Sequence, residues 1–371
     1  MSSGQSVLVG TGVSLALAAF VLSAIFCTLA RRYARQFGFL DRPGGHKGHQ
    51  VPVPLGGGVA IWLATMMIVG GCGLLVRLSP SSLPAPLAVH VSGLFLRSGR
   101  LVEILALATI VMIMGLIDDR KNLQWQLRLG IQGLCALILA VSGMHVTLFW
   151  PLNHPFLGGA VTVLWIVGLT NSFNMLDNMD GLAASVGLIA AGLFGVAQVA
   201  AGDLFAPAVL LVLMGALAGF LVHNHAPARL YMGDAGSNFL GFLLGAMTVV
   251  GTFHVTGLNS PFAVLVPPLV MAVPLYDTCS VVTIRLREGR SPFQGDRRHF
   301  SHRLVARGLT PPQAVWTIDL VTLAGGLGAL VLHRLDAWGA GLVMAQTGCL
   351  LGVVAILEMA RNHAQPARAH E

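Results

Sequence analysis

Long apolar runs constrain this chain more than any other feature. The hydrocarbon core of a bilayer is about 30 Å thick, and a helix needs about 20 apolar residues to cross it. When the 371-residue sequence is divided wherever charged residues, prolines or polar clusters interrupt it, eleven such runs result. We therefore predict an all-α polytopic integral membrane protein with about eleven transmembrane helices. The predicted spans are Val7–Ala30, Gly56–Leu78, Leu101–Ile117, Leu127–Gly143, Phe156–Leu176, Leu182–Ala201, Phe205–His223, Asn238–Phe253, Phe262–Ile284, Pro312–Leu332 and Trp338–Met359.

The charged residues between these runs predict how the chain is oriented. There are 22 Lys and Arg against 15 Asp and Glu, and this net charge of +7 would on its own suggest nucleic-acid binding. However, 18 of the 22 basic residues fall in alternate loops or in the C-terminal tail, as the positive-inside rule requires of cytoplasmic segments. We therefore expect the N-terminus outside, the C-terminus in the cytoplasm, and no nucleic-acid partner.

Nothing in the sequence indicates separate domains. No repeat with a period of about 20 to 50 residues and no low-complexity tract is visible, so we expect residues 1–371 to form a single polytopic domain. The N-terminal apolar run has no Lys or Arg before it and no obvious cleavage signal after it, and we interpret it as a retained helix. Each of the five cysteines lies alone in an apolar stretch, which favours simple packing over disulfides or zinc ligation.

The polar residues that could carry chemistry gather in the loops predicted to be cytoplasmic. An ion-coupled secondary transporter would place its carboxylates near the membrane midplane. A purely structural scaffold would not need five polar loops on one side. The distribution therefore favours an enzyme that works at the inner surface, with the transporter as the alternative from another class.

Acidic and amide side chains in three of these loops predict a divalent-cation site. Asp118 and Asp119 end an apolar run as an adjacent carboxylate pair, which proteins usually place where a cation or a proton is handled. Asp234 lies between glycines just before a run resumes, and is either a helix cap or a metal ligand. Another group has a spacing of three, which would put its members on one face if the helix persists. It comprises Asn171, Asn174, Asp177 and Asp180.

Basic side chains in two further loops would suit phosphate oxygens. The first inner loop carries Lys47 and His49 between turn residues. Asp277, within an apolar run near its inner end, is costly there unless paired or hydrated. The alternative for the basic loops is a flank that binds anionic membrane lipid. The fifth inner loop carries Arg297, Arg298, His299, His302 and Arg303, of which the last three are spaced as on one helical face. Acidic ligands facing basic loops would suit Mg²⁺-assisted attack on a diphosphate.

Five motifs, in their order and spacing, resemble those of the polyprenyl-phosphate N-acetylhexosamine-1-phosphate transferases. They are GLIDDR, NSFNMLDNMDGLAAS, ARLYMGDAGSNFLGF, VPLYDT and SPFQGDRRHFSHRL, within residues 41–308. This family includes the bacterial enzymes that begin O-antigen, enterobacterial common antigen and teichoic acid linkage synthesis, and the phospho-MurNAc-pentapeptide transferase of peptidoglycan synthesis. The resemblance implies that undecaprenyl phosphate attacks the β-phosphorus of a UDP-N-acetylhexosamine. The products would be undecaprenyl-diphospho-sugar and UMP, with Mg²⁺ as cofactor, at the cytoplasmic face of the bacterial inner membrane.

The resemblance also implies roles for individual residues. Asn174 and Asp234 look like the Mg²⁺ site. Asp118 and Asp119 look like the acids that deprotonate or position the lipid phosphate. Asp177 and Asp180 look like the residues that lie near the nucleotide in this family. The remaining substrate contacts, including those to the diphosphate and the sugar, are expected from Lys47, His49, Asn171, Arg297, Arg298, His299, His302 and Arg303.

Two positions depart from the family pattern. Asn178 stands where glycine is common, and Ser301 stands where a second histidine is frequent. The second departure weakens an assignment to the pentapeptide-using branch, so we expect N-acetylglucosamine-1-phosphate transfer at the start of a cell-envelope polysaccharide such as lipopolysaccharide O-antigen. Another UDP-N-acetylhexosamine and the phospho-MurNAc-pentapeptide reaction are the alternatives. The sequence leaves open whether an aspartate becomes phosphorylated and whether the chain forms a homodimer.

Overall fold

The computed structural model describes residues 3–34, 36–41, 52–79, 83–146, 154–251, 253, 260–293 and 298–359. This part of the chain is all-α, as predicted, apart from two short antiparallel strands, β1 (Leu40–Asp41) and β2 (Val53–Pro54). The helices are α1 (Ser3–Ala34), α2 (Gly57–Leu78), α3 (Ala85–Ala88), α4 (Val91–Lys121), α5 (Trp125–Val141), α6 (Pro155–Leu176), α7 (Leu182–Ala200), α8 (Phe205–Asn224), α9 (Gly233–Val250), α10 (Val266–Val270), α11 (Ala272–Arg287), α12 (Phe300–Ala306), α13 (Pro311–Ala329) and α14 (Ala337–Met359), with 3₁₀ turns at Pro261–Leu265 and Leu332–Arg334.

Eight helices of the described chain are long and apolar enough to cross a membrane, or nine if one bent pair counts as a single span. Two of the predicted spans correspond to helices that do not reach this standard. Helix α5 has 17 residues, which extend about 26 Å at 1.5 Å per residue, and α9 begins with the polar sequence GDAGSN. The count of eleven spans is therefore not confirmed, although a helix lies at each predicted position.

Helix α1 shows how the bundle meets its surroundings. Its buried face is formed by small residues such as Ala19, Ser23 and Cys27, and Ser23 Oγ donates to the Ala216 carbonyl of α8 at 2.6 Å. An apolar stripe this long fits lipid tails and not water, while small residues allow close helix packing. The chain is therefore a multi-pass membrane protein. The exposed stripe consists of Val9, Val13, Leu17, Val21, Ile25 and Leu29.

Helix α9 lies at the centre of the bundle, where every residue from Ala235 to Thr248 is buried. Glycines let its neighbours approach closely. A Cβ added to Gly58 of α2 would lie 2.2 Å from the Gly236 nitrogen, and one added to Gly115 of α4 would lie 2.3 Å from the Asp234 carbonyl oxygen. The start of α9 is therefore fixed directly against both helices.

The ninth apolar segment is sharply bent. The pieces Pro261–Val270 and Ala272–Arg287 meet at 62°. Prolines 267, 268 and 274 lie beside this break, and each lacks the N–H that a continuous helix would use. Beyond the bend, α11 packs on α6, and Thr278 Oγ1 donates to Ser172 Oγ at 2.9 Å. The bend thus brings the second half of the segment beside the end of α6.

Candidate active site

Several of the polar loops meet at one end of the helix bundle. The loop after α6 joins the loop after α8 through Asn224, whose Oδ1 accepts from the Gly181 N–H and whose Nδ2 donates to the Leu230 carbonyl, both at 2.9 Å. The segment before α2 joins the same place, because the Tyr231 N–H donates to the Pro54 carbonyl at 2.9 Å. Residues far apart in sequence therefore form one continuous polar surface.

The carboxylates of Asp118 and Asp119, near the end of α4, accept hydrogen bonds from different protein groups. Buried Asp118 accepts from the Leu123 N–H at 2.6 Å and from Arg128 Nη1 at 2.7 Å. Asp119 accepts from the N–H groups of Asp234 and Ala235 at 2.8 and 3.2 Å, so it caps the start of α9. Adjacent carboxylates at a helix C-terminus are unfavourable. Here a guanidinium and the positive end of a second helix offset their charge.

Asn174 and Asp234 lie in direct contact. Asn174 Nδ2 donates to Asp234 Oδ1 at 2.7 Å and to Ser237 Oγ at 3.1 Å. Asp234 is the second residue of α9, so it is not the N-cap that the sequence left open. Gly233 before it has a φ of 73°, and a Cβ there would lie 2.7 Å from Asp119 Oδ2. Glycine alone satisfies both requirements at this turn.

The helix does not persist through the series that begins at Asn171. Helix α6 ends at Leu176, so the expectation of one face up to residue 180 is wrong. The chain turns there because Gly181 adopts a φ of 81° and its N–H is held by Asn224. Asn171 donates to Gln132 Oε1 at 2.7 Å, and Asp180 accepts from the Ala228 N–H at 2.9 Å.

Asp177 differs from the other acids. Its side chain has no hydrogen bond or ion pair to any residue in the described ranges. Burial, and then the negative charges of Asp234, Asp119 and Asp180, raise the pKa of Asp177 to about 8. A carboxyl group in this position is poorly accommodated as an anion unless a cation joins it.

The side chains of these acids can be compared with the ligands that Mg²⁺ prefers. Within the described parts of the chain, no three His, Cys, Asp or Glu side chains converge as a complete metal cage. Mg²⁺ usually keeps several waters and binds one or two carboxylates together with substrate phosphates. Asp177, Asp234 and the amide of Asn174 match that smaller donor set, and the mutual repulsion of the acids favours a divalent cation. The residues therefore fit the ion.

The basic residues lie around α12, and most of the described ones are held by protein groups. Arg303 donates to Glu358 Oε2 at 2.9 Å and to Ser280 Oγ at 2.8 Å. Arg298 pairs with Glu288. His299 is the N-cap of α12 and not a residue of the helix itself, but its ring still lies beside that of His302, with the ring centroids 6.5 Å apart. The predicted contacts Lys47, His49 and Arg297 lie outside the described residues.

The loop that carries Asp177 contacts the basic segment around α12 through Asn178 and Ser301, the two positions that depart from the family pattern. Ser301 Oγ in the first turn of α12 donates to Asn178 Oδ1 at 2.5 Å. Asn178 directly follows Asp177, and its Nδ2 donates to the Met175 carbonyl at 2.7 Å. The start of α12 is therefore docked on the loop that carries the unpartnered carboxylate.

Sequence reasoning missed four polar residues that support this site. Gln132 Nε2 donates to Asn238 Oδ1 at 2.8 Å, beneath the Asn174–Asp234 contact. Asn224 joins two loops, and Glu358 holds Arg303. All four lie within or at the ends of apolar runs, where an uncharged amide or a lone acid is easily passed over. They could have been found from the rule that a polar side chain within a membrane span needs a partner.

Comparison with known proteins agrees with this geometry. The sequence profile of glycosyl transferase family 4 matches residues 101–252. The decaprenyl-phosphate N-acetylglucosaminephosphotransferase of Mycolicibacterium smegmatis is 31% identical over 95% of this chain and 91% of its own. The probable undecaprenyl-phosphate N-acetylglucosaminyl 1-phosphate transferase of Bacillus subtilis is 29% identical over 86% of each chain. The undecaprenyl-phosphate alpha-N-acetylglucosaminyl 1-phosphate transferase of Escherichia coli K12 is 26% identical over 83% of this chain and 79% of its own. With relatives this similar over nearly its whole length, the chain belongs to glycosyl transferase family 4, among the polyprenyl-phosphate N-acetylhexosamine-1-phosphate transferases that its motifs resemble.

Proposed function

We propose that this enzyme transfers N-acetylglucosamine-1-phosphate from UDP-N-acetylglucosamine to undecaprenyl phosphate. An oxygen of the lipid phosphate attacks the β-phosphorus of the donor and forms a new P–O bond. The bond from that phosphorus to the bridging oxygen breaks, and UMP leaves with the bridging oxygen. The product, undecaprenyl-diphospho-N-acetylglucosamine, would start a cell-envelope polysaccharide at the cytoplasmic face of the inner membrane.

One observation carries this proposal. Asp177 lacks a partner in the described chain and lies among three other carboxylates, on a loop that also contacts the basic segment around α12. A transfer between two phosphate compounds needs both a cation-binding group and positive side chains. The relatives compared above are named as transferases of N-acetylglucosamine phosphate to polyprenyl phosphates, which supports the same donor sugar and lipid class here.

Mg²⁺ is the cofactor that this donor set suits. Asp234, Asn174 and Asp177 would hold it, and the ion would neutralise negative charge on the diphosphate. The protein groups then divide the remaining work. Asp119 keeps the start of α9 in place by accepting from the Asp234 N–H. The predicted role of Asp118 and Asp119 in deprotonating or positioning the lipid phosphate belongs to this proposal, as do the substrate contacts of His299 and His302.

The distribution of acids disfavours the transporter alternative. Asp118, Asp119, Asp177 and Asp234 all lie at helix ends or in the adjoining loops at one end of the bundle. Ion-coupled transporters place such groups near the middle of the membrane. The acids described here are instead arranged where a water-soluble nucleotide and a lipid headgroup could both reach them.

The test is a reconstituted transfer assay. Purified enzyme in lipid nanodiscs would receive undecaprenyl phosphate, Mg²⁺ and a panel of UDP-sugars that includes UDP-MurNAc-pentapeptide. We expect UMP release and the matching lipid diphosphate by mass spectrometry with UDP-N-acetylglucosamine. Formation of product only from the pentapeptide donor would transfer the assignment to that branch. Absence of UMP with every donor would reject the proposed reaction.

A matched pair of variants makes the assay specific. Asp234→Asn preserves shape but removes charge, so transfer should fall about 10²-fold or more, as when one electrostatic stabiliser is lost. Asp203→Asn removes a buried carboxylate at the opposite end of the bundle, where it pairs with Arg97 at 3.0 Å. We expect that control to retain activity. Equal losses in both variants would mean that Asp234 acts only through stability.

A further inference from the structure

We propose that Asp277 is a positioning residue that fixes the imidazole of His299, with Nδ1 on the carboxylate and Nε2 left for the substrate. The inference rests on the proposed function, because it takes His299 to meet the diphosphate. Asp277 itself touches no substrate in this proposal. Its effect on the reaction passes entirely through the orientation and protonation of one histidine ring.

The geometry around Asp277 is the first observation. Asp277 is 1% exposed and lies in α11, within an apolar segment. Its Oδ2 lies 2.9 Å from His299 Nδ1, and its Oδ1 accepts from the Phe300 N–H at 2.7 Å. Capping the start of α12 requires only one of these oxygens. The second oxygen is therefore committed to the histidine ring.

The other side of the ring is the second observation. His299 is 6% exposed, and within the described chain its Nε2 makes no hydrogen bond. In the described chain the fully buried side-chain atoms without a partner are Gln198 Oε1, Arg303 Nε and Glu358 Oε1, so His299 Nε2 is not sealed from solvent. A nitrogen kept in this state beside a phosphate-binding surface is available to a ligand.

The placement of the pair connects it to the acids. His299 lies two residues before Ser301, which contacts Asn178 at 2.5 Å next to Asp177. Asp277 lies one residue before Thr278, which contacts Ser172 of α6 at 2.9 Å. Both members of the pair are therefore tied to the end of α6, where the unpartnered carboxylate lies.

The contact between the Asp277 carboxylate and His299 Nδ1 affects how the imidazole can interact with a substrate. A carboxylate on Nδ1 fixes both the tautomer and the plane of an imidazole. When Nε2 is also protonated, the charge of the imidazolium is balanced by Asp277, and the Nε2–H can donate to a phosphate oxygen. A histidine held in this way offers its donor without reorganising during the reaction.

The variant Asp277→Asn tests whether Asp277 positions His299. In this variant a backbone N–H group determines the orientation of the new side-chain amide. The Phe300 N–H needs an acceptor, so the amide oxygen must occupy the Oδ1 position. The amide NH₂ then faces His299 Nδ1, which can only accept, and the ring proton moves to Nε2. The helix cap is retained while the tautomer inverts.

We expect Asp277→Asn to lower kcat about 10²-fold or more, with a smaller change in KM for UDP-N-acetylglucosamine, because the Nε2–H of the variant can still donate but the ring has lost the carboxylate that balances its positive charge during transfer. The matched control is Thr278→Val, which removes the neighbouring contact between α11 and α6 but leaves His299 untouched. It should stay within about threefold of wild type, since a single hydrogen bond has a modest net effect. A loss in Thr278→Val as large as that in Asp277→Asn would overturn the proposal.

A double-mutant cycle separates positioning from general destabilisation. If Asp277 acts through His299, the variant Asp277→Asn/His299→Ala should be no slower than His299→Ala alone. If the second substitution reduces the rate by the same factor in both backgrounds, Asp277 acts independently and the proposal fails. Wild-type activity in His299→Ala would also overturn it.

A spectroscopic measurement needs neither substrate nor the aspartate variant. In ¹⁵N-histidine-labelled enzyme, with His299→Ala used to identify the signal, we expect Nδ1 of His299 to carry a proton. Asp277→Asn should move that proton to Nε2. An unprotonated Nδ1 in the wild-type enzyme would overturn the arrangement. If the spectra agree but no UDP-sugar yields a lipid product, the proposed reaction is wrong while the Asp277–His299 arrangement stands.

Discussion

The individual carboxylates of the site differ in which protein groups already bind them. Asp118 and Asp119 accept two hydrogen bonds each from protein groups, and Asp180 accepts one. Asp177 has none within the described chain. Acids with the same intrinsic chemistry are thereby divided between holding the protein together and remaining available to ligands.

The acidic pair can be tested by separating chemistry from binding. If Asp118 or Asp119 acts on the lipid phosphate, at least one of the variants Asp118→Asn and Asp119→Asn should lose about 10²-fold in kcat while UDP-sugar binding is largely retained. Steady-state transfer and direct calorimetric binding give the two numbers. The matched variant is Arg128→Gln, because Arg128 contacts Asp118 at 2.7 Å. A loss in Arg128→Gln equal to that in Asp118→Asn would assign Asp118 to the ion pair alone.

Asp177 predicts how Mg²⁺ binding depends on pH. Its pKa of about 8 means that the carboxyl is protonated at neutral pH, and Mg²⁺ must displace that proton. We therefore expect Mg²⁺ affinity to rise between about pH 6 and pH 8 and then to level off, with proton release on binding. Calorimetry in buffers of different ionisation enthalpy measures both. In Asp177→Asn the pH dependence should become shallower but should not vanish, because burial and the neighbouring Asp119 and Asp118 raise the pKa of Asp234 to about 7. An unchanged pH dependence in the variant would show that Asp177 does not contribute to it.

The same shift has a consequence for stability with the opposite sign. The folded state binds the Asp177 proton more tightly than the unfolded chain, whose aspartates have a pKa of about 4. Without metal, the contribution of Asp177 to stability is present at low pH and is lost as the pH rises towards about 8. Saturating Mg²⁺ should restore the thermal midpoint at the upper end of this range.

The sequence could predict which residues belong to the site better than it could predict which side chains contact one another. The motifs identified Asp119, Asn174 and Asp234 as neighbours, since each lies at the end of an apolar run on the same predicted side. The sequence did not predict that Glu358 would hold Arg303, or that Gln132 would reach Asn238. Such pairs join side chains on different helices, and nothing in local spacing specifies which helices are adjacent.

At the scale of elements, the central helix α9 depends on glycines in its neighbours. A side chain at Gly58 would overlap the backbone at Gly236, as described above. Apolar composition could predict that α2, α4 and α9 are helices. It did not predict the 62° bend of the ninth segment, because prolines mark the break but do not specify its angle. It also could not predict the short helix α12, which packs against α13.

We expect Gly58→Ala to destabilise the contact between α2 and α9. Its Cβ would lie 2.2 Å from the Gly236 nitrogen, and overpacking of this kind typically costs about 1–3 kcal/mol. The matched control is Gly70→Ala in the same helix, where a Cβ meets nothing within 4 Å. Thermal unfolding in detergent, followed by loss of monodisperse protein, should show a lower midpoint only for Gly58→Ala. Equal midpoints for both variants would contradict the close approach.

For the chain as a whole, the charge distribution predicts the orientation in the membrane. The 18 basic residues of the alternate loops and tail predict that the end bearing the site faces the cytoplasm. Local rules predict this polarity from sequence alone. They did not give a confirmed number of spans, because α5 has only 17 residues and α9 begins with the polar sequence GDAGSN.

Cysteine labelling tests the orientation. In a variant lacking the five native cysteines, Ser291→Cys should react with a membrane-impermeant maleimide only after the cytoplasmic side is exposed. Ser92→Cys, near the start of α4 and therefore at the opposite end of that helix from Asp118, is the control. It should react in intact cells. Reversal of the two patterns would invert the predicted orientation.

The contact between Arg303 and Glu358 also bears on how the enzyme is made. Glu358 lies at the end of α14, the last helix of the described residues. Its side chain pairs with Arg303 at 2.9 Å, and its backbone carbonyl accepts from Arg307 Nε at 2.8 Å. During synthesis, the ribosome completes the acidic motifs long before it reaches this helix. A nascent chain would thus contain every predicted metal ligand while α12 still lacked its support. Newly made enzyme should accordingly remain idle until α14 has left the ribosome and inserted.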